Sequence, residues 1–146
     1  MKRVLIVLVL TGLAVAAWAA ITHRARGIGV VEGGSWAGAR FDFNVQQPEN
    51  PNNPNRFYFW DHGMFIPVDI FITDFDKEMH WGRASGRFSG QGTYNGNNAH
   101  VSVYVLDGGR ARPDRFTMEC RDHSGHLLHS ANGVLTEGDI TVSHTQ

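Results

Sequence analysis

Val101-Ser102-Val103-Tyr104-Val105-Leu106-Asp107-Gly108-Gly109 and, shortly after it, Asp114-Arg115-Phe116-Thr117-Met118-Glu119-Cys120-Arg121 decide the fold. Val101, Val103 and Val105 alternate with Ser102, Tyr104 and Leu106, and Phe116, Met118 and Cys120 alternate with Thr117, Glu119 and Arg121. Successive side chains of an extended chain point to opposite sides, so a period of two makes one face dry and the other wet. One-sided strands of this kind belong to antiparallel sheets; parallel sheets, covered by helices on both faces, read as continuous apolar runs. Working outward, Phe41, Phe43 and Val45 alternate with Asp42, Asn44 and Gln46, and Ile140 and Val142 with Thr141 and Ser143. Past residue 20 no window of helical length repeats its apolar residues at three and four.

Between these runs lie Asn95-Gly96, Asp107-Gly108-Gly109, Ser124-Gly125, Asn132-Gly133 and Glu137-Gly138. Glycine and asparagine tolerate the positive φ of tight hairpins, so each pair predicts a turn and the second half reads as a meander of short strands. Gly86, Gly90 and Gly92 share a parity with Phe88 and Tyr94, which predicts a strand bent sharply, as at a bulge or barrel corner. Phe57-Tyr58-Phe59-Trp60 and the run from Phe65 to Ile72 are apolar on both sides, so both sides are covered or one is an exposed patch with a purpose. Residues 47–56, with Pro48, Pro51 and Pro54 among asparagines, predict a loose connecting loop. The expected fold is all-β, a single antiparallel sandwich or small barrel of about eight to nine strands.

The chain has 146 residues, 42% of them hydrophobic and 18% charged, which suits one domain with a real core. Its formal charge of −1 excludes the broad cationic face that nucleic acid requires. The lone Cys120 excludes an internal disulfide and any multi-cysteine metal site, and it shares the inward face of Phe116 and Met118. Met1-Lys2-Arg3, an apolar run over 4–17 and Ala17-Trp18-Ala19 form the three parts of a secretory leader, cleaved after Ala19. Arg24 and Arg26 follow at once, which disfavours the alternative, an uncleaved inner-membrane anchor. The expected organisation is a signal peptide at 1–19, an N-terminal extension and entry to the fold at 20–35, and the β domain at 36–146. The expected location is the periplasm or the extracellular space, with membrane contact only through an uncleaved leader.

The stretch from Phe88 to Gly96, Val101 to Gly108, Asp114 to Met118, Ser130 to Leu135 and Gly138 to Val142, preceded by Gly34-Ser35-Trp36 and Phe41 to Val45, resembles the post-COAP domain of exported bacterial proteins. The resemblance spans nearly the whole chain after the leader. It implies a compact all-β extracytoplasmic module and no catalytic residues. Where the family usually has a Gly-Glu-Pro-Gly turn, this chain has Gly108-Gly109-Arg110-Ala111-Arg112-Pro113, losing a carboxylate and gaining two guanidinium groups.

Several constellations carry possible chemistry. Trp36, Tyr58, Trp60, Trp81 and Tyr104 have large rings that could stack on a sugar or a surface protein. Asp107 and Asp114 bracket a loop and could give calcium part of its oxygen shell, although aspartates also fix turns unaided, and Arg110 and Arg112 would repel the ion. His123, His126 and His129 invite a metal reading, yet in an extended chain His126 and His129 face opposite ways. Gly34-Ser35-Trp36-Ala37-Gly38 misses nucleophile-elbow spacing, and Asp61-His62 are adjacent residues that point apart. The expectation is therefore a non-enzymatic module with a binding or structural role and no cofactor, calcium apart. The alternatives are a saccharide-binding module using exposed rings and a small hydrolase using His and Asp groups in a barrel mouth.

Overall fold

The computed structural model describes residues 20–32 and 38–146, so the leader and Trp36 lie outside the described residues. Nine strands follow one another: β1 (Thr22–Val31), β2 (Ala39–Gln47), β3 (Arg56–Asp61), β4 (Val68–Phe75), β5 (His80–Trp81), β6 (Ser85–Tyr94), β7 (Asn97–Leu106), β8 (Arg115–Arg121) and β9 (Leu127–Thr145). Every pairing is antiparallel. Neighbours follow chain order from β1 to β4 and from β6 to β9; β9 returns to β1, and β4 pairs with β6. The result is a closed eight-strand antiparallel barrel, with β5 as an extra strand on the free length of β6.

Closure at the β4–β6 seam depends on the glycines that share parity with Phe88. A Cβ at Gly92 would collide with the Phe71 carbonyl, and one at Gly90 with the Asp74 carbonyl. A bulge between Ile72 and Asp74 adds the local bend. Eight strands leave an interior just wide enough for side chains to fill. Here Phe41, Phe43, Phe57, Phe59, Phe88 and Phe116 fill it together with Val101, Val103, Val105, Ile70, Met118 and Cys120. Phe116 stacks on Phe41 at 4.3 Å between ring centroids, and Phe57 and Phe59 lie nearly parallel to it at 6.3 and 6.2 Å. Apolar inside with Arg24, Arg26, Arg40, Asp42 and Arg87 outside, the barrel has the opposite polarity to a transmembrane one.

Two expectations are corrected. Residues 20–35 do not simply lead into the domain: Thr22–Val31 is the strand that joins β2 to β9 and closes the barrel. Its period was hidden because two inward positions, Gly27 and Gly29, are glycines making room for the Phe43 and Phe41 rings. Asn132-Gly133 and Glu137-Gly138 are not hairpins but lie within the single strand β9, which pairs with β8 as far as Val134 and with β1 from Leu135 onward. A partner along each half, first β8 and then β1, keeps such a strand extended, and of its two glycines in these pairs only Gly138 takes a positive φ, 96°, beside a register shift. The connecting loop lies over 48–55, between β2 and β3, and is tied to the strand end by side-chain bonds. Asn55 exchanges bonds with the Gln46 backbone at 2.8 and 3.2 Å, and its own N–H donates to Glu49.

Candidate functional site

Because the interior is filled, a ligand must be met on the outer face or at the ends. On β3 the outward residues are Arg56, Tyr58 and Trp60; on β4 Phe71 stands opposite Tyr58 and Asp69 opposite Trp60. Tyr58 lies between two rings, Trp60 at 4.6 Å and Phe71 at 4.3 Å, both nearly parallel to it. Two rings that close and parallel must take opposite faces, so Tyr58 has none left for a ligand. Trp60 is half-buried and Phe71 is 41% exposed. The Tyr58 hydroxyl donates to Asp69 at 2.5 Å, and His62 meets the same oxygen at 2.9 Å. Burial and that carboxylate push the Tyr58 hydroxyl up to about 12, and the Tyr58 and His62 bonds hold Asp69 below the usual carboxylate range.

Of the four rings singled out in the sequence that lie among the described residues, the structure brings together Tyr58 and Trp60. Trp81 turns inward against the core, stacks on His23 at 5.6 Å and donates its Nε1–H to Gln47 at 2.9 Å, tying β5 to the end of β2. Tyr104 lies on β7 with the Arg87 guanidinium 5.6 Å above it. Phe71 was hidden in a run apolar on both sides; its exposure depends on which of two alternating sets faces the core.

The metal candidates have other work. Asp114 accepts from the N–H groups of Gly108 and Ile140 at 2.8 and 2.6 Å, and Asp107 from those of Gly109 and Val142 at 2.9 and 3.1 Å. Past Val134 strand β9 has lost β8, and these carboxylates accept from N–H groups that β8 would otherwise have met. At the β8–β9 turn Asp122 accepts from the N–H groups of Ser124 and His126, and the His126 ring is 3.4 Å from the same carboxyl group. His123 is exposed in that turn. Among the described residues no three His, Cys, Asp or Glu side chains group so as to hold an ion.

Two further groupings of titratable side chains are products of tertiary structure alone. Ser89 Oγ–H donates to Asp76, and His100 Nε2 lies 3.1 Å from the same oxygen. In a nucleophilic triad the imidazole stands between hydroxyl and carboxylate; here the carboxylate stands between the other two. Those bonds also hold Asp76 below the usual range, which makes it a weak base. Asp61 is buried while His62 beside it is outside, as adjacent strand residues should be. His129 lies half buried against Phe59, at 5.5 Å.

Burial pulls His129 below the ordinary imidazole range, against an opposing pull from Asp61, and it drives the Cys120 thiol up to about 11. Below about pH 6.5 the unfolded chain binds a proton at residue 129 that the folded chain resists, so this contribution is complete above that pH and is lost as pH falls through it. Asp69 and Asp76 contribute stability present above about pH 4 and lost below it, and Cys120 a contribution lost as pH rises above about 9. The melting temperature should therefore be highest between about pH 7 and 8.5, and His129→Gln should flatten its decline between about pH 6.5 and 5. A wild-type melting temperature constant from pH 7 to pH 5 would contradict this.

Comparison of the chain with protein-family models, with curated proteins and with solved structures finds no match.

Proposed function

We propose that this chain is an exported, non-catalytic β-barrel module of the post-COAP kind, which binds saccharide at the outer face of β3 and β4. The reading is carried by the ring stack Trp60–Tyr58–Phe71. A pyranose has an apolar face of C–H groups that packs on an aromatic face, and the stack holds Trp60 and Phe71 in place on rigid strands before any ligand arrives. Asp69 and His62 at one end supply groups that bond hydroxyls. The leader over 1–19 delivers the module to the periplasm or the cell surface.

Trp60→Ala and Phe71→Ala should each abolish retardation of the protein in polysaccharide-containing gels while the urea midpoint moves little, since outward truncation leaves the core intact. Wild-type mobility in both variants, or a wild-type protein retarded by none of a broad set of polysaccharides, would refute the reading. A surface protein as partner is the second reading, favoured by Phe65, which is 102% exposed between Met64 and Ile66 on the β3–β4 loop. In that case Phe65→Ser, and not Trp60→Ala, should lose the partner.

A further inference from the structure

Beside the ring stack a groove of about 430 Å³ runs over the outer face of β9, β1 and β2, bounded by the β2–β3 loop. Strand register sets its contents in rows. Arg26 faces Thr141 on one side and Asn44 on the other, and Asn44 in turn faces Arg56. Arg26 and Arg56 thus stand two strand spacings apart, about 10 Å, with Asn44 on the floor between them. One row further along, Asp42 is the cross-strand neighbour of Tyr58 and so joins the groove to the rings.

Asn44 is the informative residue. It lies on the outward parity of β2, yet only 4% of it is exposed. Its Oδ1 accepts from Arg24 Nε at 2.8 Å, which settles the amide orientation, because a guanidinium nitrogen can only donate. The Nδ2 donor on the other side of the amide is closed to solvent and has no acceptor among the described residues. Leaving a buried donor unsatisfied is costly, and a small turn of the Asn44 side chain toward an acceptor oxygen held in the groove relieves that cost. The cations around it are not all committed either: Arg56 is paired with Asp42 at 3.2 Å, whereas Arg26 has no partner among the described residues. An unused amide donor next to an unused guanidinium matches a planar oxyanion, which accepts several parallel N–H bonds at once.

We propose that this groove takes the carboxylate of an acidic saccharide, a uronate, whose neighbouring ring rests on the Trp60–Tyr58–Phe71 surface. The inference deepens the saccharide reading and rests on it for the identity of the ligand. The carboxylate pairs with Arg26 over the groove floor at Asn44, whose closed-in Nδ2 turns toward it on binding. Asp42 is held by Arg56 and accepts a sugar hydroxyl on the way to the rings. Asp139, on the far side of Ile28, leaves the groove cationic at its centre and not throughout, which favours a ligand with one charge per residue over a densely charged polyanion.

Three probes test this on the full mature chain: a galacturonate oligosaccharide, a neutral galactose oligosaccharide of equal length, and monomeric galacturonate, which is too short to reach the rings. The acidic oligosaccharide should bind at least about tenfold more tightly than the neutral one, as expected of charge-assisted bonds. The preference should shrink as salt rises from about 20 mM to about 500 mM. Arg26→Gln with Arg56→Gln should erase it while weak binding of the neutral oligosaccharide remains. Monomeric galacturonate should shift the Asn44 side-chain amide resonances saturably, and less so in the Arg26→Gln variant. Equal affinity for the two oligosaccharides overturns the uronate assignment and leaves the ring surface standing. Failure of both oligosaccharides with a saturable shift from the monomer overturns the ring surface and leaves the groove. No shift with the monomer overturns the groove itself.

Discussion

Phe116→Ala is expected to lower the free energy of unfolding by about 3–5 kcal/mol, the range for deleting a fully buried aromatic ring whose space cannot collapse. The space cannot collapse because a closed barrel is a fixed hoop: its radius follows from strand number and stagger, and no layer can move inward to fill a void. Phe116 projects from β8 and reaches Phe41 on β2 and Phe57 and Phe59 on β3, so its removal unlinks opposite walls at once. With domain stabilities near 5–15 kcal/mol, the alanine variant should stand close to unfolding at body temperature. Phe116→Leu keeps most of the volume and should lose only about 1–1.5 kcal/mol, which keeps the comparison measurable if the alanine variant does not fold. Urea titration reads both. A midpoint unchanged in Phe116→Ala, at constant slope, would show that the centre of the barrel is not packed on this ring.

Gly92→Ala should be the more damaging change per atom added. Ordinary overpacking costs about 1–3 kcal/mol because neighbouring side chains yield. Here the added methyl meets the Phe71 carbonyl, the Phe71 carbonyl carbon and the Ile72 Cα, all backbone of the paired strand. Relief requires β4 and β6 to separate where Ile72 faces Gly92, and that seam closes the barrel. Amide exchange should quicken along β4 and the upper half of β6 while the β7–β8 pairing stays protected, a local opening and not uniform loosening. Gly96→Ala is the control: its φ of 83° makes it strained, but a Cβ there would meet nothing within 4 Å. A Gly92→Ala variant as stable as wild type, with exchange unchanged at the seam, would mean that the barrel closes elsewhere.

How much of this was readable in advance depended on whether the signal was local. Alternation along β2, β7 and β8 is carried within each strand, so inward Phe41, Val103, Phe116 and buried Cys120 could be named from periodicity alone. The hairpin at Asn95-Gly96 was equally local, both residues having positive φ. Gly133 and Gly138 looked the same in sequence and yet lie inside β9, because a turn forms only where the chain lacks a partner to remain extended beside. β1 was missed for the converse reason: glycines at its inward positions remove the apolar half of the pattern and leave the Phe rings of β2 to fill that space.

The candidate site was half legible. Tyr58 and Trp60 stood out as large rings, but their partner Phe71 and the groove residues Arg24, Arg26, Asn44 and Arg56 come from four strands, joined only by register. Asp107 and Asp114 were legible as a pair bracketing a loop; that they serve the N–H groups of Val142 and Ile140 was not, since those partners lie 35 and 26 residues away.

By itself, then, the order of residues determined that the chain is made of antiparallel strands with one greasy face, where several of them turn, and which side chains of β2, β7 and β8 are hidden. These are properties of a few neighbouring residues in an extended backbone. Tertiary structure alone decided that the strands close into a barrel and not a sandwich, and that Phe71 and Asn44 end up beside Tyr58 and Arg26. Closure and juxtaposition are set by stagger between strands far apart in the chain, a quantity that no single segment encodes.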